Sequence, residues 1–205
     1  MKENSDSLKI GGSPRDARLR VLKLTLLFEG ALIVLALVLN WFMERSLWDM
    51  IGFDWFLLWA APAAILPLLA VFYWTLDSSI RMLREVRESL GAILPSMFGA
   101  SKTMDLLLVS ILAGVGEELL FRGVFQTALT NMLGPFAGLI LASVLFGLGH
   151  WITPGYALLA GLAGVFLGLL FQFTDNLLLP VLVHILYDFT ALTYYMRRHR
   201  MDGDI

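Results

Sequence analysis

Six ionisable side chains lie within stretches of the sequence that are otherwise apolar: Glu117, Glu118, Arg122, His150, His184 and Asp188. An ionisable group at the depth of a lipid bilayer costs at least about 2.5–3.5 kcal/mol on insertion scales, so such residues are candidates for function. Their summed cost approaches the whole stability of a small protein. We therefore expect them to pair with one another or to line a wet cavity.

The spacing of these residues predicts which of them share a helix face. Three pairs are four positions apart: Glu118 and Arg122, Phe146 and His150, and His184 and Asp188. In Glu118–Arg122 the acid comes first, which is the favourable order for a helical ion pair. Glu117 projects about 100° away from Glu118, so one carboxylate can be paired while the other points elsewhere.

Two carboxylates and two imidazoles suffice to hydrolyse an amide without a covalent nucleophile. Removal from water disfavours the charged form of a carboxylate, which suits a buried glutamate such as Glu117 to act as a general base near neutral pH. A nearby histidine can orient the water, and a second histidine with Asp188 can offer hydrogen bonds to a developing oxyanion. An ionised aspartate only accepts, so Asp188 must be protonated or must hold His184 in the needed tautomer.

The same side chains could instead bind zinc, because two histidines and one glutamate form a known catalytic ligand set. That set would be Glu117, His150 and His184. The His-Glu-x-x-His spacing of many zinc peptidases is absent from the sequence. The chain also has no cysteine, which excludes a thiolate metal site and a cysteine nucleophile. We therefore favour a mechanism without a cofactor and keep zinc as the alternative.

The elements that must position these residues are long apolar segments. The chain is 58% hydrophobic and 16% charged, whereas a soluble domain is nearer half apolar and a quarter charged. Residues 55–76, 123–149 and 151–174 contain no Asp, Glu, Lys or Arg, and each segment exceeds the roughly 20 apolar residues that cross a bilayer. A soluble globular protein, a disordered protein and a disulfide-stapled secreted domain are thereby excluded. The 15 basic residues form no continuous patch, so we expect no nucleic-acid partner.

The apolar segments predict an all-α fold, a polytopic membrane bundle of about six transmembrane helices plus an amphipathic surface helix. The predicted spans are residues 19–42, 54–76, 102–130, 135–150, 156–173 and 176–196. Between the second and third spans, apolar residues recur at helical spacing among arginines and glutamates, which is typical of a helix at the membrane surface. The alternative is a helical extension of the second span. Residues 1–18 are predicted to be a flexible cytoplasmic tail, and residues 19–205 a single transmembrane domain.

Basic residues predict the orientation of this bundle, because cytoplasmic segments are enriched in Lys and Arg. The N-terminal segment, residues 77–104 and the C-terminus hold most of them, whereas the loop at 43–54 has only Arg45. With six spans, the three basic segments lie on one side. We therefore predict a multi-pass protein of the cell (inner) membrane with both termini in the cytoplasm.

The ionisable residues form three short motifs that carry a family resemblance. The sequence contains Glu117-Glu-Leu-Leu-Phe-Arg122, Phe146-Gly-Leu-Gly-His150 and His184-Ile-Leu-Tyr-Asp188. This resembles the signature of the CAAX protease and bacteriocin-processing (CPBP) family, also called the abortive-infection family: Glu-Glu-x-x-x-Arg, Phe-x-x-x-His and His-x-x-x-Asn or Asp. The resemblance covers about residues 101–195, which we take as the catalytic core. Residues 1–100 carry no motif that matches.

The resemblance implies an intramembrane endopeptidase related to type II CAAX prenyl endopeptidases, whose eukaryotic members remove the last three residues of prenylated proteins. It implies that Glu117 and His150 activate the hydrolytic water and that His184 and Asp188 form the oxyanion side. It assigns supporting roles to Glu118, Arg122 and Phe146. The prenyl-processing members tend to carry Asn at the position of Asp188, so the resemblance supports the reaction type better than the substrate.

The predicted function is hydrolysis of a peptide bond in a membrane-associated protein or peptide, with or without a lipid group. The expected partners are that substrate and the lipid bilayer. The alternatives are a zinc-dependent metalloendopeptidase, a proton-coupled carrier, and a non-catalytic protein for bacteriocin immunity or scaffolding. Two other features receive structural interpretations. Glu29 is placed near the interface or paired within the bundle, without a role, and Gly164-x-x-x-Gly168 predicts close helix packing.

Overall fold

The computed structural model describes residues 13–203, which form α-helices joined by short turns, and this part of the chain contains no β-strand. The helices are α1 Pro14–Asn40, α2 Leu57–Asp77, α3 Arg81–Phe98, α4 Thr103–Glu118, α5 Thr127–Leu133, α6 Pro135–Gly149, α7 Pro154–Thr174 and α8 Leu178–Gly203. A 3₁₀ turn, Leu47–Met50, follows α1, and a π-helical stretch, Leu119–Gln126, joins α4 to α5. The predicted all-α class is confirmed. Of the predicted tail at residues 1–18, residues 1–12 lie outside the described residues, and α1 already begins at Pro14.

Turn chemistry in the sequence sets several helix ends. Pro154 occupies the first turn of α7, and the Thr153 hydroxyl accepts a backbone hydrogen bond there. Gly134, with φ of +87°, precedes Pro135 at the start of α6. Proline suits a first helical turn because its missing N–H would have no partner there. Asp175 ends α7 in the left-handed conformation, with φ of 53°.

Four helical segments are long and apolar enough to cross a membrane: Pro14–Asn40, Trp59–Asp77, Pro154–Thr174 and Leu178–Met201. The predicted fourth span is α6, which is apolar but has only 15 residues. The predicted third span is divided among α4, the π-helical stretch and α5, and it carries the charged residues of the first motif. The described chain thus has the helices of a multi-pass membrane protein, while the count of six spans stays a prediction.

The amphipathic segment forms a helix of its own, so the alternative of an extended second span is wrong. The chain leaves α2 at Ser78 in an extended conformation, and α3 begins at Arg81. Leu83 and Val86 are buried, whereas the arginines and glutamates on the opposite face stay exposed. This alternation gives α3 one face for the bundle and one for the membrane surface.

Polar contacts gather three chain segments at one end of the bundle. Arg18 at the start of α1 forms a two-bonded ion pair with Asp105 at the start of α4, at 2.5 and 2.7 Å. Arg200 near the end of α8 donates to the carbonyl of Ser101 at 2.9 Å. The start of α1, the start of α4 and the end of α8 therefore lie together, as an even number of spans requires. Which membrane face this end occupies stays a prediction.

Glycines allow α6 and α7 to approach closely. A Cβ atom placed on Gly147 of α6 would lie 2.6 Å from the carbonyl oxygen of Ala157. On the facing helix, a Cβ on Gly161 would lie 3.5 Å from the nearest atom, the carbonyl oxygen of Ser143. The first distance is a clash with backbone and the second is an ordinary contact. The position of α6, and with it His150 at its end, therefore depends on Gly147.

We predict that Gly147→Ala destabilises the protein, whereas Gly161→Ala does not. Forcing an extra carbon into a packed interior costs typically about 1–3 kcal/mol, and the clash at Gly147 is with a backbone atom that cannot rotate away. Thermal unfolding of both purified variants in one detergent measures the difference. Equal midpoints for the two variants would contradict this account of the α6–α7 contact.

Candidate active site

The structure brings all seven residues of the three motifs together. Glu117 and Glu118 end α4, and Arg122 lies in the π-helical stretch that follows. The remaining four come from two helices: Phe146 in α6, His150 directly after it, and His184 and Asp188 in α8. π-Helical turns are rare and occur frequently at functional sites. Here the wider turn lies directly after the two glutamates.

The Glu117 carboxylate faces both imidazoles of the site. Its Oε2 atom lies 3.4 Å from Nε2 of His150 and 3.9 Å from Nε2 of His184. These distances are longer than a direct N–H···O hydrogen bond, and Oε2 is buried without a hydrogen-bond partner among the described residues. Such a gap between polar groups suits a bridging water.

His184 is held by Glu118 rather than by Asp188 alone. Nδ1 of His184 lies 2.8 Å from Oε1 of Glu118, and the same oxygen accepts from Arg122 Nη1 at 2.8 Å. A carboxylate paired with a guanidinium only accepts hydrogen bonds, so Nδ1 of His184 carries the hydrogen. The other ring nitrogen, Nε2, lies 3.5 Å from Oδ2 of Asp188. The ring orientation is thus fixed from one side, and Nε2 is left facing Glu117 and Asp188.

His150 is oriented by its own helix end. Its Nδ1 lies 2.9 Å from the carbonyl oxygen of Phe146, one turn earlier. The Phe146 ring packs against the His150 ring, with centroids 4.5 Å apart, and against the His184 ring at 5.9 Å. The guanidinium of Arg122 lies 4.4 Å from the centre of the same phenyl ring, a cation–π distance. Phe146 therefore contacts Arg122 and both imidazoles of the site.

Two side chains of the π-helical stretch anchor it to α7. Arg122 Nη2 donates to the carbonyl of Gly164, and Gln126 Nε2 donates to the carbonyl of Gly168, each at 3.0 Å. A Cβ on Gly168 would lie 2.5 Å from Leu139 and 2.6 Å from Gln126. The pair Gly164 and Gly168 thus provides the close helix packing that its spacing predicts. It also leaves two carbonyl groups of α7 accessible to the side chains of Arg122 and Gln126. Gln126 was not among the predicted residues. The signal for it in the sequence is an amide side chain four positions after Arg122, within an otherwise apolar stretch.

Glu29 is a further carboxylate next to the site, a position that the sequence did not predict. It belongs to α1, is buried, and its Oε2 has no hydrogen-bond partner among the described residues. A Cβ on Gly116 would lie 3.3 Å from this oxygen, which places Glu29 beside the residue that precedes Glu117. A lone acid in the first apolar span was the signal for it in the sequence.

A cavity of about 300 Å³ opens beside the imidazoles. His150, His184 and Asp188 contribute to its wall, which is otherwise mostly apolar and comes largely from α2, α3, α7 and α8. Glu117 is not among the lining residues, and its carboxylate lies 3.4 and 3.9 Å from the two imidazoles that are. A substrate in this cavity would therefore meet the histidines first, inside a wall of low polarity.

The predicted zinc alternative requires three donors at about 2.0–2.2 Å from one point. Among residues 13–203, no group of three or more His, Cys, Asp or Glu side chains is arranged to hold a metal ion. The set of Glu117, His150 and His184 stays an alternative, which the metal content of the purified protein tests.

We predict that Arg122→Met destabilises the protein by about 3–5 kcal/mol, because removal of one partner leaves a buried charge uncompensated. Arg122 and Glu118 are almost completely buried. The double variant Glu118→Gln with Arg122→Met removes both charges and should recover much of the loss. Unfolding of the three proteins in one detergent measures the coupling. A double variant as unstable as the single one would show that the loss does not come from the unpaired carboxylate.

Comparisons with known proteins concern the part of the chain that carries the motifs. A family model described as type II CAAX prenyl endopeptidase Rce1-like matches residues 99–190. This range contains all three motifs and begins after α3. No curated protein and no solved structure gives a significant match. Residues 99–190 are therefore similar to the Rce1-like type II CAAX prenyl endopeptidases, and this match confirms the resemblance to the CPBP family that the three motifs carry.

Proposed function

We propose that the protein is an intramembrane endopeptidase that hydrolyses a peptide bond of a membrane-associated protein or peptide at this site. One observation carries the proposal. Oε2 of Glu117 faces the Nε2 atoms of His150 and His184, at 3.4 and 3.9 Å, beside a mostly apolar cavity between helices. The match over residues 99–190 supports the same reaction type.

The first step is activation of a water molecule between Glu117 and His150. Glu117 accepts a proton from the water while the oxygen bonds to the carbonyl carbon of the scissile peptide. His150 holds the water through Nε2, since its Nδ1 is engaged by the Phe146 carbonyl. The carbonyl π electrons move to the oxygen and form the tetrahedral oxyanion.

His184 stabilises the oxyanion in the form that carries hydrogen on both ring nitrogens. Nδ1 donates to Glu118, and Nε2 donates to the oxyanion. An ionised Asp188 cannot donate to the oxyanion, so its role is to balance the charge of His184 and to hold Nε2 in place. The proton held by Glu117 then moves to the leaving nitrogen, and the C–N bond breaks to give a carboxylic acid and an amine.

We also propose that the end of the bundle that holds Arg18, Asp105 and Arg200 faces the cytoplasm. The basic segments of the chain meet there, and basic residues are enriched in cytoplasmic loops. The cavity reaches α3, which joins this end. Substrates would then enter from the cytoplasmic leaflet.

We predict that Glu117→Gln reduces cleavage by at least about 100-fold, because general-base catalysis contributes about 10²–10⁴-fold. New protein termini are compared in membranes of a host strain that lacks the protein and carries either wild type or variant at equal expression. The matched control is Glu85→Gln, whose side chain is exposed and pairs with Arg81 on the surface of α3. If neither substitution changes the set of termini, the result would favour a carrier or an immunity protein. Binding by such a protein need not be abolished when the Glu117 carboxylate is lost.

We predict that purified protein cleaves without added metal and that a chelator leaves the rate unchanged. The proposed steps use only carboxylate and imidazole groups. Metal content is measured in the wild type, His150→Ala and His184→Ala. Stoichiometric zinc in the wild type that is lost from both variants would overturn the metal-free mechanism in favour of the zinc alternative.

A further inference from the structure

A groove of about 550 Å³ runs along the C-terminal half of α8, beside the end of α2. Its volume lies within the range of about 300–1,000 Å³ that is typical of small-molecule sites. Tyr73 comes from α2, and the other lining residues come from α8. The groove shares no lining residue with the cavity beside the imidazoles. Most of it also lies outside residues 99–190, the segment that matches the family.

The lining residues change in character along α8. Phe189 lies farthest from the end of the helix, and Thr190 and Thr193 follow it. Arg197 and Arg198 come last, about 12–14 Å from Phe189 at 1.5 Å per residue. A phospholipid has the same order of groups, with apolar acyl chains, then polar esters and then an anionic phosphate. The groove therefore matches a lipid that lies parallel to the helix.

Exposed leucines continue the apolar end of the groove along both helices. Leu186 lies three residues before Phe189 on α8, and Leu66 lies seven residues before Tyr73 on α2. Residues at these spacings share a helix face, and both leucines are exposed. In a bilayer they contact hydrocarbon. Acyl chains can therefore extend from the groove over these leucines, whereas a soluble ligand has no chain to place there.

The cationic end of the groove is organised by aromatic packing. The Tyr194 ring makes edge contacts with the rings of Phe72 and Tyr73, with centroids 5.4 and 6.5 Å apart. Arg198 Nη1 donates to the Tyr194 hydroxyl at 3.1 Å. Because a guanidinium only donates, the hydroxyl oxygen is the acceptor, and its own hydrogen stays available for another acceptor. Residues of α2 thereby position a phenol that in turn positions a guanidinium.

Charge favours an anion at this end of the groove. Arg197 is exposed and forms no hydrogen bond or ion pair within the described part of the chain, and no carboxylate side chain is among the lining residues of the groove. Guanidinium groups pair with phosphate through charge-assisted hydrogen bonds. Arg200, near the same helix end, belongs to the end of the bundle that we propose to face the cytoplasm. The cytoplasmic leaflet is the one that carries anionic lipids.

We propose that this groove binds one anionic phospholipid of the cytoplasmic leaflet, with its phosphate on Arg197, Arg198 and the Tyr194 hydroxyl and an acyl chain along Phe189. The lipid site is separate from the proposed endopeptidase site and does not depend on that function. A bound lipid joins the end of α2 to α8, because the wall of the groove takes residues from both helices.

Lipid binding is measured by native mass spectrometry of the purified protein in a neutral detergent, over a series of concentrations of phosphatidylglycerol or phosphatidylcholine. We expect one phosphatidylglycerol to bind at a lower concentration than phosphatidylcholine does. An arginine near an anionic lipid surface contributes about fivefold in affinity, so Arg197→Gln with Arg198→Gln should weaken phosphatidylglycerol binding about 25-fold. Tyr194→Phe keeps the ring and should weaken it about 2–10-fold, the usual range for one hydrogen bond.

The matched control removes two cations from the same end of the bundle but outside the groove. Arg20 and Lys23 are exposed on α1, close in sequence to Arg18. Arg20→Gln with Lys23→Gln should bind phosphatidylglycerol as the wild type does. An equal loss of affinity in this control would show a general attraction to cations and would overturn the site. Equal affinities of the wild type for the two lipids would overturn it as well.

Thermal unfolding in the same detergent separates the remaining alternatives. A ligand that binds only the folded state stabilises it. If inorganic phosphate alone raises the midpoint of the wild type as much as phosphatidylglycerol does, the ligand is a soluble phosphate and the lipid assignment is wrong. If the ligand-free double variant is itself destabilised, Tyr194→Phe decides, and an affinity equal to that of the wild type rejects the site. Each of these results stands whether or not Glu117-dependent termini are found.

Discussion

A single oxygen atom, Oε1 of Glu118, accepts hydrogen bonds from both Arg122 and His184 and so joins the first motif to the third. The rest of the site depends on this contact. It fixes the hydrogen on Nδ1 of His184 and leaves Nε2 facing Glu117 and Asp188. Because the ion pair is almost completely buried, it resists exchange with water, and loss of either partner leaves a charge at a depth where solvation is costly.

The packing around this ion pair explains why small residues and a π-helical turn occur where they do. Arg122 also donates to the Gly164 carbonyl, so the charge that orients His184 is itself held by α7. Close approach of α7 requires glycines at the contact, and the same rule applies where Gly147 of α6 meets the backbone of α7. His150 extends from the end of α6. The distance between α6 and α7 therefore also sets the position of the His150 imidazole. In a bilayer this distance is set by side-chain packing, because packing rather than water exclusion holds helices together.

Contacts within one helix were predictable from the sequence, and contacts between helices were not. The four-residue spacing predicted the pairs Glu118–Arg122 and His184–Asp188. The long apolar segments predicted the helical class, and the helical spacing of apolar residues among arginines and glutamates predicted the amphipathic α3. The bond between Glu118 and His184 joins residues 66 positions apart, and no local period encodes such a pairing. The burial of Glu29 beside Gly116 depends in the same way on how α1 meets α4. The count of six spans stays a prediction, because α6 has only 15 residues and the π-helical stretch divides the third predicted span.

The two halves of the chain contribute different chemistry to one cavity. The segment that matches the family supplies the carboxylates and imidazoles, which are the groups that hydrolysis needs. The first half supplies part of the apolar wall from α2 and the cation Arg87 from α3, and it places the buried Glu29 of α1 beside Gly116, next to the site. Hydrolysis of a peptide bond needs the same chemical groups for any substrate. The cavity wall and Arg87, in contrast, contact the parts of the substrate next to that bond. Specificity is therefore expected to reside in helices that carry no motif, because a binding wall is defined by shape and charge rather than by fixed spacing.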